Sequence, residues 1–150
     1  MGAVAIAERL FTTTAAGPRL IGSHCRACEA WAFPAQDSCP TCTGTDVSDD
    51  LLEPRGTLWT WTTQGFPPVS PPFVGPGSKE SFVPFGIGWV ALPGQLMIEA
   101  RLTESDPANL AIGMPVELVL EPITTDDAGQ DVLTFAFQPT VHEGPEAVDA

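Results

Sequence analysis

The chain has 150 residues, 43% of them apolar, and a formal net charge of −13. That length accommodates one domain, or a small module joined to a modest one. Sixteen prolines and fourteen glycines exclude an all-helical protein and call for short strands, turns and at least one irregular loop.

In chain order, residues 3–16 (Ala-Val-Ala-Ile-Ala-Glu-Arg-Leu-Phe at their start) predict a short helix or docking arm within an N-terminal arm over residues 1–18. Residues 19–46 follow as a metal-binding ribbon, with Arg19 to Ser23 as its first strand and Trp31-Ala32-Phe33-Pro34 as the return strand. Its four cysteines are the only ones in the chain: Cys25-x-x-Cys28, ten intervening residues, then Cys39-x-x-Cys42. Two residues between paired cysteines let both sulfurs reach one ion from a tight knuckle, and two knuckles complete a tetrahedral site. Disulfides are disfavoured in a chain without a secretion signal, and a redox pair explains one Cys-x-x-Cys but not two. Iron bound as in rubredoxin uses the same spacing, so the ligands alone admit either metal; structural Zn²⁺ in a rubredoxin-like ribbon is the expectation. Four thiolates leave no open position for water or substrate, so the ion's role is to fold a segment too small for its own core. His24, beside Cys25, reads as a solvated neighbour of this site.

Asp46 to Pro54 is polar and acidic and predicts a connector. Beyond it, residues 54–140 contain five runs that alternate with period two, the signature of strands. In Thr57 to Thr63, Trp59 and Trp61 fall on one face and Leu58, Thr60 and Thr62 on the other. Phe82 to Leu92 is apolar on both faces, with Gly86 and Gly88 allowing a bend or a close approach. Leu96, Ile98, Ala100 and Leu102 point inward in the third run, Val116, Leu118 and Leu120 in the fourth, and Leu133, Phe135 and Phe137 in the fifth. Asp106-Pro107, between the third and fourth, reads as a capped helix start. The fold class is therefore mainly β: a helical arm, a Cys₄ ribbon and a five-stranded OB-fold barrel, although strand count alone also admits a sandwich. Residues 141–150 read as an acidic flexible tail.

Gln64 to Ser81 stands apart, with five prolines and three glycines in eighteen residues. Loops of that length are uncommon in compact domains unless functional or disordered. Its apolar residues Phe66, Val69, Phe73 and Val74 favour docking on a partner or ligand over a solvated insertion.

Charge narrows the function. Residues 1–45 balance three basic against three acidic residues, whereas residues 46–150 hold three basic against sixteen acidic. Such a surface repels phosphates, which argues against a nucleic-acid-binding OB protein. A basic n-region followed by an apolar stretch is missing, as is any run of 18 apolar residues, so a soluble cytoplasmic protein with no membrane partner is expected. The chain has no tyrosine, and its other histidine, His142, sits in the tail. Asp49-Asp50 and Asp126-Asp127 lie in polar connectors, and most aromatic residues are assigned to the core. No nucleophile with a base and an orienting partner emerges, so no catalytic residue is expected.

Several stretches together resemble one family: the ribbon Cys25 to Cys42 with Phe33-Pro34, then Gly56-Thr57-Leu58, and Phe82-Val83-Pro84-Phe85-Gly86-Ile87-Gly88 leading to Val90-Ala91-Leu92-Pro93-Gly94. Leu110-Ala111-Ile112-Gly113-Met114-Pro115-Val116 and Phe135-Ala136-Phe137-Gln138-Pro139 complete the order. Across residues 15–140 the chain resembles the zinc-ribbon/OB-fold proteins associated with acyl-CoA enzymes. It departs from them after each knuckle, where Glu29 and Thr43 replace the usual glycine. The resemblance implies an accessory subunit in a hetero-oligomer with a thiolase-like acyl-CoA enzyme: a thiolase, an acyltransferase, or a retro-aldolase shortening steroid side chains. Arg55, Arg101, Phe66 and Phe73 are then candidates for contact with partner or acyl-CoA. A free-standing acyl-CoA-binding protein is the alternative.

Overall fold

The computed structural model describes residues 2–69 and 82–140. Phe73, Val74, Lys79, His142 and the tail lie outside the described residues. Ten strands follow in order: Ala3–Ala5 (β1), Phe11–Thr14 (β2), Gly17–Cys25 (β3), Trp31–Ala32 (β4), Val47–Leu51 (β5), Arg55–Gln64 (β6), Phe85–Ala91 (β7), Met97–Leu102 (β8), Pro115–Thr125 (β9) and Asp131–Pro139 (β10). A 3₁₀ turn, Pro107–Asn109, separates β8 from β9; Asp106 caps it by accepting from the Ala108 N–H, as the Asp-Pro pair predicts.

The last five strands close on themselves. β6 pairs antiparallel with β7, and β7 with β8; β8 runs parallel to β10, which pairs antiparallel with β9, which returns to β6. This is the five-stranded OB-fold barrel, and closure leaves no long unpaired edge. The parallel contact is only two residues long, Ala136 and Phe137 against Arg101 and Leu102. β1 pairs with β10 just before it, at Asp131 to Leu133.

Two expectations need correction. The N-terminal arm is not helical: β1 joins β10 and β2 joins β3. A five-residue apolar run is too short to distinguish helix from strand, and the partner that decides here is distant in sequence. The acidic connector also contains a strand, since β5 pairs with β3 from Ile21 to Cys25. Arg9 holds that strand in place. Its Nε and Nη2 donate to the two carboxylate oxygens of Asp49 at 2.9 and 2.7 Å, and Nη1 lies 3.0 Å from Asp37. The Arg9 guanidinium accordingly holds the Asp49 carboxyl below its ordinary range.

The alternation in β6 is broken by a bulge. Leu58 pairs with Val90 and Thr60 with Trp89, so Trp59 is the extra residue between them. Leu58 and Trp61 then both pack on the core, while Trp59 turns out and is 59% exposed. This overturns the placement of Trp59 and Trp61 on one face. A Cβ on Gly88 would meet Leu58 Cδ1 at 2.6 Å, and one on Gly86 would strike the Glu104 carbonyl. Both glycines let neighbouring leucines fill the space a side chain would occupy. The inward faces of β8 and the start of β9 are as predicted: Ile98, Ala100, Leu102, Val116 and Leu118 are all buried.

One core serves both ribbon and barrel. Leu20 and Leu52, from the ribbon side, belong to the same buried cluster as Leu58, Val90, Leu102 and Phe137. Phe33 meets Phe135 of β10 edge-on at 5.5 Å. The polar seam is equally specific: Gln95 accepts from the Glu53 N–H at 2.7 Å and donates to the Leu51 carbonyl, while Leu118 N–H reaches the Pro54 carbonyl at 2.8 Å. No helix among the described residues is long and apolar enough to cross a membrane.

Candidate metal centre

The two knuckles are built alike. In each, the first cysteine's N–H bonds a carbonyl five residues on, Cys25 to Ala30 at 2.9 Å and Cys39 to Gly44 at 2.8 Å. Its carbonyl in turn accepts an N–H from four residues on, Glu29 and Thr43, both at 2.8 Å. That reversal needs a left-handed residue at the fourth position, and Glu29 and Thr43 adopt φ of 68° and 62°. They keep the knuckle geometry that the usual glycine would provide, at a backbone strain of about 1–2 kcal/mol apiece. Glu29→Gly and Thr43→Gly should each stabilise the zinc-loaded protein by on the order of 1 kcal/mol in urea unfolding. A loss of stability in both would show that their side chains outweigh the strain.

The four Sγ atoms converge to within 4.8 Å of one another. Cys25 and Cys42 approach to 3.7 Å and Cys28 and Cys39 to 3.5 Å. A tetrahedron with zinc–sulfur bonds of about 2.3 Å has edges of about 3.8 Å, whereas a disulfide needs about 2.05 Å. The arrangement therefore fits a tetrahedral metal ion and not crosslinks. The first ligand of each knuckle, Cys25 and Cys39, is buried, and the second, Cys28 and Cys42, is exposed. The Cys42 N–H and then the Thr41 N–H point at Cys39 Sγ, at 3.4 and 3.3 Å, and draw its pKa down to about 6. His24 takes no part in the cluster; its ring stacks on Trp31 with centroids 4.3 Å apart.

Comparison with known proteins agrees with this geometry. The rubredoxin-like zinc ribbon domain of ChsH2 matches residues 15–48, and the C-terminal OB-fold domain of ChsH2 matches residues 51–121. The chain belongs to the ChsH2-type zinc-ribbon/OB-fold family. Its structural cofactor is zinc, held by the ribbon. A "DUF35 domain-containing scaffold protein" of Pyrococcus furiosus is 27% identical over 82% of this chain and 85% of its own length. One of the same description from Methanocaldococcus jannaschii is 28% identical over 79% of each. Among solved structures, the Ltp2-ChsH2(DUF35) aldolase superposes with a TM-score of 0.59 at 24% identity, covering 82% of this chain and 86% of that one, a likeness of fold.

Among the described residues, the other candidates of this ChsH2-type chain lie apart from one another. Arg55 opens β6, largely exposed, with Nε 3.6 Å from Glu117. It borders a cleft of about 300 Å³ with Ala16, Pro18 and Glu53. Arg101 lies on β8, donating to Glu121 at 2.8 Å with its guanidinium 4.0 Å above the Phe85 ring. It borders a different cleft, of about 260 Å³, with Ile87, Thr134 and Phe135. Phe66 is 70% exposed just after β6, where its carbonyl accepts from Gln64.

Most of the described aromatics do belong to the core: Phe137 lies in it, and Phe11, Trp31, Phe33, Trp61 and Phe135 pack against it. Among the described residues only Phe137 is fully buried, and Trp59 and Trp89 stand out to solvent. Period-two reading misses the inward turn of Trp61, because the bulge that redirects it is invisible in the pattern.

Proposed function

We propose that this protein is a non-catalytic accessory subunit of a thiolase-like acyl-CoA enzyme, one that cleaves carbon–carbon bonds in lipid or steroid side-chain breakdown. The observation that carries the reading is the joint match of both ChsH2 domains, in order, on a chain with no catalytic cluster among its described residues. The names of its relatives support it: two are scaffold proteins, and the aldolase with the similar fold couples a ChsH2 component with Ltp2. Electrostatics point the same way. Every arginine is already engaged: Arg9 by Asp49 and Asp37, Arg19 by the Leu52 carbonyl, Arg26 by Asp46, Arg55 by Glu117 and Arg101 by Glu121. Little cationic surface is left among the described residues to hold the phosphates of a free acyl-CoA, and less to hold nucleic acid.

The test uses purified chain, the thiolase-fold acyl-CoA enzymes of its source organism, and the two mixed. Alone, the chain should neither form nor break acyl-CoA carbon–carbon bonds. Mixed with its cognate enzyme, it should form a stable hetero-oligomer and raise activity at least tenfold. Arg55→Ala and Arg101→Ala then distinguish two roles: a raised KM in an intact complex means contact with acyl-CoA, and lost assembly means scaffolding. Turnover by the isolated chain, abolished by changing one of its own residues such as His142, would defeat the reading.

A further inference from the structure

The outward face of β6, β7 and β8 carries large apolar side chains among Thr60, Thr62, Glu99 and Arg101. Trp59, Trp89 and Met97 are 59%, 43% and 40% exposed, high values for such large apolar side chains. They are neighbours by register: Thr60 pairs with Trp89 beside the bulged Trp59, and Met97 pairs with Ala91 two residues along from Trp89. Strands lie about 4.8 Å apart, so these side chains share a patch roughly 10 Å across. The patch continues along β7 through the alternate residues Ile87 and Phe85. There it reaches the cleft of about 260 Å³ that Phe135 and Arg101 also line. This cleft lies where β8 and β10 pair over only two residues.

The bulge lets this face and the core be served by the same short stretch of β6. Without the extra residue, strand alternation would carry Trp59 to the side opposite Leu58 but would not leave both Leu58 and Trp61 on the core. One insertion therefore puts both Leu58 and Trp61 on the core while Trp59 stays outside, next to Trp89. Exposed tryptophan and methionine beside a concave apolar site are the composition of an interface centre, where tryptophan anchors dominate affinity.

Charge indicates what covers it. Glu99 pairs with Trp89 and lies between Met97 and Arg101 on β8. Arg101 is neutralised by Glu121 at 2.8 Å, which leaves Glu99 as the charge of this face without an ion pair among the described residues. A second copy would set this carboxylate against the same carboxylate, on chains that each carry −13. The complementary occupant is an apolar projection rimmed by Lys or Arg. We infer that the outward face of β6, β7 and β8, centred on Trp59 and Trp89, is the docking surface for the thiolase-like partner. An apolar side chain of that partner seats in the cleft between Phe85 and Phe135. The inference rests on the accessory-subunit reading and adds to it the surface and the chemistry of its complement.

The experiment measures binding of the zinc-loaded chain to each purified thiolase-fold acyl-CoA enzyme of its source organism, by calorimetry and tryptophan emission. The wild type should bind one of them, with emission shifting to the blue as exposed indoles are covered. Trp59→Ser and Trp89→Ser should each weaken Kd by about 30-fold or more, the scale of an anchor residue. Paired Trp59→Phe and Trp89→Phe should retain affinity within about tenfold, which separates lost contact from lost fold. Zinc content and thermal midpoint should match the wild type in all variants. Unchanged affinity in the double serine variant overturns this surface and leaves the accessory reading standing. Self-association that the serine variants abolish makes a second copy the occupant and overturns the inference. A wild type that binds none of the enzymes overturns the accessory reading and this surface with it.

Discussion

Stripping the zinc with a chelator, or replacing Cys39 with serine, should unfold the ribbon and lower the thermal transition of the barrel with it. Structural Cys₄ sites contribute about 10–16 kcal/mol of binding free energy that acts as folding free energy. Whole domains of this size are stable by only about 5–15 kcal/mol, so the metal's contribution is of the same order as the total. Cys39 is the most damaging ligand to lose, because it is buried and its Sγ accepts from the Thr41 and Cys42 N–H groups. The barrel follows because Leu20, bonded through its carbonyl to the Leu52 N–H, belongs to both modules. Metal analysis and calorimetry check this together: about one zinc per chain in the wild type, and a single transition that moves to lower temperature when it is removed. A metal-free wild type that melts unchanged would refute the structural role.

The second large effect is expected at Leu52. It is 0% exposed and sits at the exit of β5, where the ribbon hands the chain to the barrel. Its backbone is pinned on both sides, N–H to the Leu20 carbonyl at 2.9 Å and carbonyl to Arg19 Nε at 2.6 Å. Rigid surroundings collapse little around a deleted side chain, so the cavity remains. Leu52→Ala should therefore lower stability by about 2–5 kcal/mol in urea unfolding. Ile112→Ala, at a residue 70% exposed, should change it by no more than about 0.5 kcal/mol. If the two modules share one core, the Leu52 variant should also surrender zinc more readily to a competing chelator. Two separate transitions, with only the ribbon affected, would mean that the modules fold independently.

What the sequence made legible follows the range of the interactions involved. The cysteine knuckles were legible because their geometry is local: each is closed by bonds between residues four and five apart. β8 was legible for the same kind of reason, since one face is buried and the other open from Ile98 to Leu102. The failures lie where a distant partner decides. Ala3–Ala5 becomes a strand only because β10 offers an edge, and Val47–Leu51 only because β3 does, against the low strand preference of its two aspartates. The bulge at Trp59 belongs to this class too. It is a property of the β6–β7 register, and no inspection of β6 alone contains it.

The pairing of β1 with β10 has a consequence for how the protein is made. A ribosome releases β1, the ribbon and most of the barrel before it releases the strand to which β1, β8 and β9 all bond. The ribbon's own knuckles are complete by Gly44 and can take up metal early. The barrel cannot close until Pro139 has emerged, and until then its apolar strands have no lid. Contacts that span nearly the whole chain also form slowly. Newly made protein should thus pass through a stage with the ribbon loaded and the barrel open. Zinc supply during synthesis, more than after it, should set the yield of folded chain.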